Sequence, residues 1–167
     1  YRIALLFVTS CDSFVTRLAY DGLQQWRSRR KPFDHWSQGG EFMAARILMV
    51  DDEPHNLGIL RIFLKALQYD VLEAECGQEA LRIAEQEPLD LILLDVMLPD
   101  ISGYDICKRL KQRDGFQTPI IFLSANAQEE AVKKGIELGA FSYLTKPFDL
   151  ETLEATLLAA IGSITPS

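Results

Sequence analysis

Ile47-Leu48-Met49-Val50-Asp51-Asp52-Glu53-Pro54 runs four apolar residues into three acids and a proline. An unbroken apolar run suits a strand buried on both faces of a parallel sheet. Pro54 suits the first turn of a helix, where its missing N–H leaves no hydrogen bond unmade. The same order recurs downstream. Leu89–Leu94 and Ile120–Leu123 read as further buried strands, and Asp95 and Ser124 follow them. Val71–Glu75 and Phe141–Leu144 are more mixed, which suits edge strands. Between the strands, Leu57, Leu60, Leu64 and Leu67 form an apolar stripe at helical spacing, and Leu150, Leu153 and Leu157 form another. Ser102 and Asn126 stand where N-caps would, with Asp105 and Glu129 placed as capping-box acids.

Five βα units in alternation predict an α/β fold with a parallel sheet, helices on both faces and right-handed crossovers. Three buried strands and two mixed ones fit the doubly wound, flavodoxin-like order 2-1-3-4-5. Its switch point lies between strands 1 and 3, and ligands bind there beyond the carboxyl ends of the strands.

The chain has 167 residues, 48% hydrophobic and 25% charged, which indicates one globular domain rather than a disordered chain. No apolar run approaches the roughly 18 residues of a membrane span, so no membrane partner is expected. Cys11, Cys76 and Cys107 form no C-x-x-C pair and read as idle thiols in a reducing cytoplasm.

Charge divides the chain unequally. Residues 1–42 carry a net charge of +2, with a basic cluster at Arg27, Arg29, Arg30 and Lys31, while residues 43–167 carry −9. An acidic domain repels nucleic acid and favours cations, metal ions among them. The first 42 residues hold no persistent period and are expected to be a poorly ordered or non-native extension, with Met43 as the native start. Val8-Thr9-Ser10-Cys11 has the look of a lipobox, but the apolar stretch Ile3–Val8 is short for a signal sequence.

Polar residues gather where the strands end: Asp51, Asp52 and Glu53 after strand 1, Asp95 after strand 3, Ser124 after strand 4, and Lys146-Pro147 after strand 5. The fold order brings these loops to one rim. Two like charges about 5 Å apart repel by roughly 3 kcal/mol at an effective dielectric near 20, so clustered aspartates need a cation or must take up protons. Hard carboxylate oxygens without His or Cys favour Mg²⁺, which keeps several waters and bridges to phosphate. Lys146 adds a fixed cation. Such a site is built to stabilise a phosphoryl group in transfer, with Asp95 as nucleophile. Each feature alone is ordinary: a strand-end Asp commonly caps a helix, Lys-Pro is commonly a loop, and Ser124 would serve as a cap. Their coincidence within one βα series carries the argument.

Residues 46–161 resemble the receiver domain of two-component response regulators. The matching pieces are Val50-Asp51-Asp52-Glu53-Pro54, Leu93-Leu94-Asp95-Val96-Met97-Leu98-Pro99-Asp100-Ile101-Ser102-Gly103, Phe122-Leu123-Ser124-Ala125, Gly139-Ala140-Phe141-Ser142-Tyr143-Leu144 and Thr145-Lys146-Pro147-Phe148. The resemblance implies Asp95 as phosphoacceptor. It implies Asp52 and Asp95 as direct Mg²⁺ ligands, Asp51 acting chiefly through water, and the Met97 backbone carbonyl completing the set. Ser124 and Lys146 would hold phosphoryl oxygens, Tyr143 would turn inward as Ser124 moves, and Lys146-Pro147 would be cis. Ser124 departs mildly from the family's commoner Thr but keeps the hydroxyl.

By the same resemblance the donor is a sensor histidine kinase or phosphotransfer protein. The chain is expected to be a phosphoacceptor with self-phosphorylating and autodephosphorylating chemistry, not an enzyme. The output face is expected on the fourth helix (about 127–138), strand 5 and the fifth helix (about 149–161), where an effector or second copy would dock. A haloacid-dehalogenase-type phosphatase would need Asp where Met97 stands, and a flavodoxin-like carrier would need a phosphate loop where Asp51-Asp52-Glu53 stands. A degenerate receiver, acting only as an interaction module, would lack one of the key residues. Gly162–Ser167 is too short for an output domain. That suits a single-domain regulator, or else a linker beginning toward a missing output.

Overall fold

The three central strands are apolar until they reach the rim. In the computed structural model, which describes residues 44–163, they are β1 (Arg46–Val50), β3 (Leu91–Asp95) and β4 (Ile120–Ser124). The edges are β2 (Asp70–Ala74) and β5 (Ser142–Thr145). All pairings are parallel, in the order β2-β1-β3-β4-β5. The helices are α1 (Pro54–Ala66), α2 (Gly77–Gln86), α3 (Gly103–Lys111), α4 (Glu129–Glu137) and α5 (Leu150–Gly162). The extension at 1–42, the start at Met43, the Cys11 motif and the last residues lie outside the described part.

Successive strand residues face opposite ways, so each central strand supplies two cores. Ile47, Met49, Leu91, Leu93, Ile121 and Leu123 pack on one face with Leu57, Leu60, Phe63 and Leu64 of α1 and Leu153, Leu157 and Ala160 of α5. Leu48, Val50, Ile92, Leu94, Ile120 and Phe122 pack on the other, with Ala80 of α2 and Ile106, Cys107 and Leu110 of α3. Fully burying one such aliphatic side chain stabilises by about 1.5–3 kcal/mol. Two full faces therefore make a stiff plate that fixes where its ends project.

Several boundaries shift for local reasons. The third strand begins at Leu91, not Leu89, and just before it the Asp90 carboxylate accepts the Arg46 backbone N–H at 2.7 Å in place of a backbone carbonyl. Leu67 falls beyond α1 but still packs against the first core. Ser102 caps α3, accepting from the Tyr104 N–H at 3.3 Å. Asn126 does not cap α4: its side chain accepts from the Gln128 N–H in a turn, and Gln128 takes the N-cap position. The apolar stripe of α1 and Pro54 at its first turn stand as expected.

Candidate functional site

The parallel register carries the carboxyl ends of β1, β3 and β4, and the residues at or just after them, to one rim. Val50 lies opposite both Ala74 and Leu94, Asp95 opposite Leu123, and Ser124 opposite Thr145. Asp51 and Asp95 are 1% and 7% exposed and Ser124 is fully buried, whereas Asp52 is exposed. One carboxylate oxygen from each of Asp51, Asp52 and Asp95 lies within 4.8 Å of the others. Strand 5 contributes the counter-charge. The Lys146 ammonium donates to Asp51 Oδ2 at 2.6 Å and also to Asp95 Oδ2. Its backbone N–H donates to the Ser124 carbonyl at 2.7 Å, and the Lys146-Pro147 peptide is cis.

Each buried carboxylate is held by further donors, as burial of charge requires. Asp51 Oδ1 accepts from the Glu53 N–H at 2.9 Å, and the Asn56 side-chain amide donates to both Asp51 oxygens. Asp95 Oδ1 accepts from the Met97 N–H at 2.8 Å. Burial pushes the Asp95 carboxyl above its ordinary range, further than Lys146 and the Met97 N–H pull it down. Burial alone would lower the Lys146 ammonium, but its bonds to Asp51 and Asp95 prevail and hold it above the ordinary lysine value. The donor set is all oxygen and holds no His or Cys, which fits a hard, oxygen-seeking divalent ion such as Mg²⁺.

Beside this cluster runs a chain of contacts. Ser124 Oγ accepts from the Asn126 N–H at 3.1 Å, and the Tyr143 hydroxyl donates to the Asn126 carbonyl at 2.9 Å. The Tyr143 ring leans on Phe122 with centroids 5.9 Å apart. A Cβ on Gly135 of α4 would come within 2.9 Å of Tyr143 and 3.0 Å of Phe122, so this glycine lets helix and ring approach.

The sequence expectations did not include Asn56 as a partner of Asp51, nor a role for Asp100 or Gly103. Asn56 sits within the first turn of α1, five residues after Asp51, and that spacing was the available signal. Gly103 opens α3 where a Cβ would lie 2.2 Å from the Asp95 carbonyl oxygen. Asp100 bonds to backbone 22 and 23 residues away, a pairing that no local spacing signals.

Residues 47–158 match the model of the response regulator receiver domain. The chain is 43% identical over 119 residues to the alkaline phosphatase synthesis transcriptional regulatory protein PhoP of Bacillus subtilis, covering 71% of this chain and 49% of that protein. It thus spans about half the length of the curated relatives it matches. Among solved structures, the chemotaxis protein CheY4 of Vibrio cholerae superposes with a TM-score of 0.67 at 32% identity, over 71% of this chain and 99% of that one. The receiver domain of a sensor histidine kinase from Pseudomonas aeruginosa, solved with a magnesium ion coordinated in its active site cleft, gives 0.67 at 33%, over 72% and 99%. Fold, rim and relatives agree, and this chain belongs to the response regulator receiver domains of two-component signalling.

Proposed function

We propose that Asp95 accepts a phosphoryl group from the phosphohistidine of a sensor kinase or phosphotransfer protein. An Asp95 carboxylate oxygen attacks phosphorus, the P–N bond breaks, and the imidazole leaves with the electron pair and gains a proton. Asp51, Asp52, Asp95 and the Met97 carbonyl are the residues assigned to hold Mg²⁺. Bound there, that ion would neutralise charge on the phosphoryl oxygens. Lys146 stands ready to pair with another oxygen, and the Ser124 hydroxyl to donate to a third. Release by hydrolysis returns Asp95 as a carboxylate, with water forming the new P–O bond. The protein is a phosphoacceptor rather than a turnover enzyme on this reading.

The observation that carries it is the single ammonium shared by two buried carboxylates, with a third carboxylate within reach. The Ser124–Asn126–Tyr143 contacts support a switch, since a Ser124 hydroxyl drawn to a phosphoryl oxygen would release the Asn126 N–H. The face formed by α4, β5 and α5 would transmit that change to an effector or a second copy. The free thiols Cys76 and Cys107 suit the cytoplasm, and no helix of the described residues is long and apolar enough to cross a membrane. That the similar curated proteins are transcriptional regulators, of which the matched segment makes up only 49–50%, favours a second reading, in which this receiver is the input module of a larger regulator.

Acetyl phosphate and Mg²⁺ should add one phosphoryl group by intact mass, with loss on chelation and in Asp95→Asn. An unmodified wild-type chain, or an adduct that survives in Asp95→Asn, would refute the assignment.

A further inference from the structure

The loop from Val96 to Ser102 joins the acceptor strand to α3 and carries Met97. Its base is pinned twice: the Met97 N–H donates to Asp95 Oδ1, and the Gly103 N–H donates to the Val96 carbonyl at 3.0 Å. Side-chain packing does not hold Met97, which is 72% exposed. The outer part of the loop is instead tied to a different unit of the fold. Asp100 Oδ1 accepts from the Gly77 N–H at 2.8 Å and Asp100 Oδ2 from the Gln78 N–H at 2.9 Å.

These are the first two N–H groups of α2, which has no partner of its own there, because its N-cap residue Cys76 makes no side-chain cap. A carboxylate at a helix N-terminus is favoured by both the unpaired donors and the dipole. The two N–H bonds hold the Asp100 carboxyl below its usual range. Gly77 makes the approach possible, since a Cβ there would meet Ile106 at 2.8 Å, Ile101 at 3.0 Å and Asp100 Oδ1 at 3.1 Å.

We propose that Asp100 is a positioning residue: by fastening the Met97 loop to the start of α2, it sets the position of the Met97 backbone and with it the affinity of the acidic cluster for Mg²⁺. This rests on the phosphoacceptor reading above. Outer groups that orient metal ligands typically change metal affinity by 10–100-fold when removed.

The test is Mg²⁺ titration by calorimetry on the full chain, with hydrogen exchange at Gly77 and Gln78 and thermal unfolding alongside. Asp100→Ala should weaken Mg²⁺ binding by about tenfold and lose protection at both amides. Asp100→Asn keeps an acceptor for one N–H and sets an NH₂ group against the other, so it should fall between. Arg46→Gln, which removes ion pairs at the opposite end of the sheet, should lower the Tm without moving the Mg²⁺ affinity. If Asp100→Ala lowers the Tm but binds Mg²⁺ like wild type, Asp100 is only a helix cap and the proposal falls. Should that variant not fold, the same comparison on Asp100→Asn decides. A wild-type chain that neither binds Mg²⁺ nor takes a phosphoryl group removes the underlying reading instead.

Discussion

The two ends of the sheet both carry ion pairs, and they are not alike. At the amino end, Arg46 holds Asp70 at 2.7 Å and Glu87 at 2.9 Å, with side chains 34%, 45% and 45% exposed. At the carboxyl end, Lys146 holds Asp51 and Asp95, whose side chains are 2% and 10% exposed against its own 22%. Water and salt screen the first cluster, so each pair there is worth little. The second has given up most of its hydration, so its charges depend on each other and on the N–H donors around them. The same residue types thus make a surface fastening at one end and, at the other, a site short of positive charge.

Replacing each cation separates the two ends most clearly. Lys146→Met leaves two buried carboxylates without their ammonium and should cost about 3 kcal/mol in metal-free urea unfolding. Mg²⁺ should then restore more stability to this variant than to wild type, because a ligand stabilises the state it binds. An equal loss at both ends would erase the distinction.

A smaller effect is expected in pH dependence. The Asp95 carboxyl lies above its ordinary 3.8 when folded. Between 3.8 and that raised value, the native form keeps a proton the unfolded chain has released. Stability therefore falls as pH rises through that window, and is fully present below it. Lys146 is also raised, from 10.5, so its contribution holds below 10.5 and is lost as pH climbs through its folded value. Metal-free Tm against pH should show the acid-side fall in wild type and lose it in Asp95→Asn. The smallest effect belongs to Arg46→Gln: a drop in Tm several-fold below that of Lys146→Met, shrinking further in high salt.

The plate and the rim were legible because their signals are local. Ile47–Val50 and Ile120–Leu123 are apolar without interruption, and the acids, hydroxyl and lysine follow each apolar run directly or stand just after its strand. The order of strands then sufficed to bring Asp51, Asp52, Asp95, Ser124 and Lys146 to one end. Less legible were residues whose partners are distant or whose role is shared with solvent. Asp90 sits among leucines, and nothing nearby shows that it turns to the Arg46 N–H. Asn126 has the spacing of a cap, but its amide N–H and carbonyl serve Ser124 and Tyr143, and the helix starts later. Asp100 reads as a turn residue until α2 is known to begin beside it.

Gly103 gives the α3 side of the rim a particular mechanical character. With no side chain between them, the backbone of α3 and that at the end of β3 meet directly, like two bars welded rather than hinged. Any side chain at Gly103 would have to force that seam apart, because its Cβ would lie 2.2 Å from the Asp95 carbonyl oxygen and 2.9 Å from the Val96 Cα. The opposite wall is joined differently: Ser124, Asn126 and Tyr143 are strung together by single hydrogen bonds, which can be exchanged one at a time.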